Sequence, residues 1–153
     1  PETAMRRLRE LVMQQPESHV LAHSLGGLIA VKALAGYKGY SGRIVCVGTP
    51  LAGSRVVRRY AGTALGRLAG ESAGLLGNGL DAVPEGLSVS VIAGTEPLGM
   101  GRLLHRFDEG NDGSVALSET RIAGLDRHVT VAASHSGQLV SKQVLEQAIL
   151  LLK

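Results

Sequence analysis

The sequence predicts an α/β fold: a parallel sheet of about four strands with helices on both faces. Three observations carry this. The runs "SHVLAH", "GRIVCVGTP", "LSVSVIAGT" and "DRHVTVAA" are short, apolar or β-branched, and bounded by turn residues. Helix-period segments alternate with them along the chain. With 153 residues, 44% of them apolar, the chain suits a single domain over residues 1–153 with a real core and is too short for two ordinary domains.

The elements follow in order. "TAMRRLRELVMQ" sets Met5, Leu8, Leu11 and Val12 at helical spacing with arginines opposite, predicting an amphipathic helix capped by Thr3 and ended by Pro16. "SHVLAH" reads as a short buried strand, and "LGGLIAVKALAGY" as a helix closed by Gly36. "GRIVCVG" is continuously apolar, as a strand covered on both faces would be. Residues 51–86 hold one or two helices, because Val56, Val57, Tyr60, Ala64, Leu65 and Leu68 recur at helical spacing; these helices either pack on the core or form a cap over a pocket. After the third and fourth strands, "SGQLVSKQVLEQAILLL" reads as one terminal helix with Leu139, Val140, Val144 and Ala148 along a stripe.

Composition narrows the function. There are 21 glycines but one Phe, three Tyr and no Trp, so packing relies on aliphatic residues. The net charge is +3, yet arginines are scattered among acids and stacking residues are scarce, which argues against nucleic-acid binding. No apolar run is long enough to predict stable membrane insertion. The lone Cys46 sits in an apolar strand and reads as a small core residue, which excludes a disulfide framework. His19, His105 and His128 show no metal-ligand spacing, so neither a metal nor a cofactor is expected.

Ser24 lies where the first strand meets the following helix, with small residues at positions 22 and 26. A sharp strand-to-helix turn requires that spacing, and it would lift the hydroxyl above the sheet. The helix N-terminus favours developing negative charge, and the Leu25 amide points where an oxyanion would sit. On these residues alone, Ser24 is equally an ordinary helix cap. Two further residues follow strand ends: Asp112 in the turn-rich "EGNDGSV" and His135 in "AASHSG". Asp108, Glu109 and Asp126 are rival acids, and His23 packs beside the turn or takes part directly.

In this order the residues resemble the α/β-hydrolase superfamily, in particular its bacterial lipase and esterase branch. "AHSLGG" is similar to that branch's nucleophile elbow, "GTPLAGS" to its "GTPHxGS" stretch, "NDGSVALSETR" to its acid loop and "ASHSGQLVS" to its histidine loop. The resemblance implies a serine hydrolase of carboxylic esters, acting on a small-molecule or lipid ester through an acyl-enzyme. Ser24 would be nucleophile, His135 base, Asp112 acid and Leu25 oxyanion donor. An acyltransferase using the same triad, or a noncatalytic binding module of this fold, remains open, and oligomeric state is not read from the sequence.

Two residues depart from the branch's pattern: position 22 is Ala where Gly is commoner, and Leu51 stands where the "GTPHxGS" stretch has His. Only 23 residues precede Ser24, so the expectation is the C-terminal portion of an α/β-hydrolase fold. The Ser24 strand would then be an edge, and the "HG" loop that supplies a second oxyanion amide would be missing.

Overall fold

The structure, a computed structural model, describes residues 1–60, 63, 70, 72–98 and 107–153. Four parallel strands, β1 (Val20–His23), β2 (Arg43–Val47), β3 (Ser88–Gly94) and β4 (Arg127–Val131), lie side by side in that order. Among the described residues the helices are α1 (Glu2–Gln14), α2 (Leu25–Leu34), α3 (Arg55–Tyr60), α4 (Ser72–Asn78) and α5 (Lys142–Leu152). Short 3-10 turns cover Leu117–Thr120 and Gly137–Val140. Among the described residues, no helix is long and apolar enough to cross a membrane.

The pleat of β2 explains its unbroken apolar run. Ile44 and Cys46 point to one face, where they pack with Val12 of α1 and Leu28, Val31 and Leu34 of α2. Val45 and Val47 point to the other, against Val144 and Ala148 of α5. With both faces covered, neither set of side chains has reason to be polar. Burial pushes the Cys46 thiol up to about 12, so it packs as an inert core residue. Leu51 is fully buried and joins the first cluster, as do Leu75 and Leu76 of α4 at its margin.

Helix ends follow local chemistry in some places and tertiary contacts in others. Gly36, just past α2, has φ +72°, the left-handed conformation that terminates helices and that glycine adopts without strain. Thr3 is not the cap of α1: the helix begins at Glu2, with Pro1 at the cap position and no side-chain capping hydrogen bond. Arg9 ties α1 to α2 by donating to the Ala35 carbonyl, 3.1 Å away.

The terminal segment differs from expectation. Gly137–Val140 forms a separate 3-10 turn, and α5 starts after Ser141, whose hydroxyl accepts from the Val144 amide. Leu139 and Val140 therefore leave the stripe and stand 66% and 88% exposed, while Val144 and Ala148 are buried. Ala64, Leu65, Leu68 and His105 lie outside the described residues.

The order of the sheet leaves β1 at an edge, with Leu21 on the α5 face half exposed. A groove of about 230 Å³ runs there between Leu21, Val47, Val144 and Leu145.

Candidate active site

All four strands run parallel, so the loops following them gather at one end of the sheet, where sites of such sheets form. Ser24 leaves the sheet by donating its amide to the Val47 carbonyl at 2.8 Å, one step beyond the last residue of β1. Its backbone then turns sharply to φ 53°, ψ −125°, and among the described residues it alone has positive φ without being glycine. Such a conformation is strained and persists where surrounding structure imposes it. Ala22 does not obstruct this turn: a Cβ built on Gly26 would stand 3.7 Å from the Ala22 methyl, an ordinary contact.

Ser24 occupies the cap position of α2, yet its side chain caps nothing. Its hydroxyl lies 3.0 Å from His135 Nε2, and His135 Nδ1 lies 2.7 Å from Asp112 Oδ2. Both distances are those of hydrogen bonds. The carboxylate accepts, so Nδ1 carries the proton, which leaves Nε2 free to accept from the serine hydroxyl.

Each partner is held by the chain around it. Asp112 is 1% exposed, and its Oδ1 accepts from the amides of Ser114 and Val115 at 2.9 and 2.8 Å. Burial alone would raise its carboxyl, but the His135 imidazole and those amides outweigh it and hold the group below the usual carboxylate range. The loop closes at Gly113, with φ +91°, where any Cβ would meet the Leu98 carbonyl oxygen at 2.4 Å. That is why the turn reads Asn-Asp-Gly.

His135 is fixed at both backbone ends. Its amide donates to the Asp112 carbonyl at 2.8 Å, and its own carbonyl lies 2.9 Å from His23 Nε2. The two imidazole rings stand 4.7 Å apart. Burial, and next to it the His135 ring, keep His23 below the ordinary histidine range, so it is neutral at neutral pH and donates through Nε2–H.

Leu25 is the first residue of α2, where an amide has no partner within the helix and the helix dipole favours negative charge. The rival acids go elsewhere. Asp108 is exposed, Glu109 binds Arg55 and Ser118, and Asp126 accepts from the Ser88 hydroxyl. His19 accepts from the Arg43 amide, and His128 bonds Thr120.

Two contributors were not visible in the sequence. Gln138 donates from Nε2 to Asp112 Oδ2 at 2.8 Å. Glu119, 3% exposed, accepts from the amides of Ala116 and Arg55, which fastens the acid loop to the chain after β2. His135 precedes the 3-10 turn that holds the first, so helical spacing does not signal Gln138. Nothing local signals the second.

No protein-family model and no curated protein sequence matches the chain. Solved structures do. Bacillus licheniformis lipase BlEst2 in its propeptide form aligns with a TM-score of 0.74 at 20% identity, over 97% of this chain and 39% of that one. Its mature form gives 0.67 at 18% identity, over 97% and 71%. The metagenomic carboxyl esterase MGS0156 gives 0.70 at 18%, over 86% and 49%. The chain thus spans well under two thirds of the length of two of these three structures. At such identities the likeness is one of architecture, and it is the α/β fold found in bacterial lipase and esterase structures.

Proposed function

We propose that this chain carries the nucleophile, base and acid of a serine hydrolase of carboxylic esters, within the single domain that residues 1–153 form. The observation that supports it most is the unbroken line of hydrogen bonds from Ser24 Oγ through His135 to Asp112, at 3.0 and 2.7 Å. The fold it shares with a lipase and a carboxyl esterase points to the same chemistry.

In this reading His135 Nε2 takes the Ser24 proton as Oγ attacks the acyl carbonyl. Asp112 holds the Nδ1–H tautomer and stabilises the imidazolium that forms. The Leu25 amide donates to the oxyanion of the tetrahedral intermediate. His135 then protonates the departing alcohol, leaving an acyl-enzyme on Ser24. Water, deprotonated by the same imidazole, releases the acid. The substrate class is a small-molecule or lipid ester.

A fluorophosphonate probe tests this, because it reacts with a serine only when a neighbouring base activates it. Labelling of the folded protein at Ser24, absent in Ser24→Ala and matched by loss of p-nitrophenyl ester turnover, is the expected result. A folded protein that takes no label would overturn the hydrolase reading in favour of an inert module.

A further inference from the structure

Gln138 is 2% exposed and sits on the 3-10 turn three residues past His135. Its Nε2 donates to Asp112 Oδ2 at 2.8 Å, the same oxygen that meets His135 Nδ1 at 2.7 Å. The amide fills a slot between the ends of β2 and β3, and both walls are glycine. A Cβ on Gly48 would stand 3.0 Å from both amide atoms, and one on Gly94 only 2.7 Å from Nε2. The slot therefore fits this side chain closely, and the amide has little freedom to leave the carboxylate.

Packing alone does not account for an amide there. Gln138 Oε1 is buried and accepts from no donor among the described residues, a penalty that an apolar side chain of the same length would avoid. Its orientation is set by chemistry: the reversed amide would press Oε1 against a carboxylate oxygen, acceptor on acceptor.

We propose that Gln138 is a positioning residue of this site, whose amide donor keeps Asp112 ionised and in the one rotamer where Oδ2 meets His135 Nδ1. The backbone amides of Ser114 and Val115 hold only Oδ1, so without Gln138 the carboxylate could pivot about that anchored oxygen. The titratable groups facing this cluster are His135 against Asp112 and His23 against His135. The role in turnover rests on the hydrolase reading; the hold on Asp112 does not.

The test uses Gln138→Met, nearly isosteric and without a donor, with Gln138→Leu as a second variant. Carboxyl-carbon NMR follows the Asp112 titration, and ester turnover gives kcat and KM separately. Removing a donor to the anion should move the Asp112 midpoint up by about one pH unit. The kcat should fall about tenfold with KM nearly unchanged, as when an interaction made in the transition state is lost. An unmoved Asp112 midpoint in a folded variant overturns the proposal, as does failure of both variants to fold, which would assign Gln138 to the fold. If wild-type protein takes no fluorophosphonate label, the hydrolase reading fails alone, and the Asp112 midpoint still decides the role of Gln138.

Discussion

Asp112 accepts four hydrogen bonds, two at each oxygen, and the two sides are unequal. The donors at Oδ1 are backbone amides that cannot turn away. Those at Oδ2 are an imidazole, which has a second tautomer, and an amide, which can flip. In Asp112→Asn the oxygen must therefore stay on the amide side, and the new NH2 group takes the place of Oδ2. There it donates to His135 Nδ1 and to a flipped Gln138, whose Oε1 gains its missing partner. The variant should fold normally, yet His135 is locked with its proton on Nε2, pointing at Ser24. On the proposed hydrolase reading kcat should fall by roughly 10⁴-fold, with nitrogen NMR of the imidazole reporting the Nε2–H tautomer. Retention of the Nδ1–H form would refute the argument. At this scale the three residues that these hydrogen bonds join were legible as candidates because each follows a strand in a recognisable loop. Gln138 was not, since its value comes from a contact 26 residues back in the chain.

At the scale of elements, the turn into α2 depends on its packing against the loop after β2. Gly27 lies in the first turn of α2, and a Cβ there would stand 2.2 Å from Thr49 Oγ1 and 2.9 Å from Thr49 Cβ. Alanine in a helix gains about 1 kcal/mol over glycine, while forcing bulk into a packed contact costs about 1–3 kcal/mol. The clash wins because Thr49 is fully buried. Gly27→Ala should lower the urea midpoint, and adding Thr49→Ala should restore part of the loss, because that change removes Oγ1 and Cγ2 but leaves Cβ. Equal losses in the single and double variants would show that the contact is not responsible. The strands were legible because burial on both faces writes itself directly into β2. The break before α5 was not, because Leu139 and Val140 continue the apolar pattern. What ends the 3-10 turn is Ser141 capping α5, while Gln138 turns inward to Asp112. Local periodicity carries neither contact.

For the whole molecule, two half-buried histidines on different strands link stability to pH. Burial, and after it the His135 ring, lowers His23; burial, and after it the charge of Arg121, lowers His128. Thr120 donates its hydroxyl to the Leu117 carbonyl, so His128 Nε2–H donates to Thr120 Oγ1 and Nδ1 is left buried without a hydrogen-bond partner among the described residues. Protonation would place a charge in a half-buried position already facing the Arg121 cation, and the residue's own backbone offsets this only in part. Both groups thus bind protons less readily folded than unfolded, where a histidine titrates near 6.5. Below that value the unfolded chain takes up more protons, so stability falls as pH drops. The lowered carboxyls work in a separate window: Asp112 and Glu109 contribute stability above the ordinary carboxylate range and lose it only as pH falls through and below that range. Between pH 7 and about 5 the histidines therefore dominate. The urea midpoint should decrease over that interval, and His128→Asn should remove about half of the decrease. A midpoint constant across the interval would mean that the folded state accommodates both imidazolium ions, contrary to the environment built around His128.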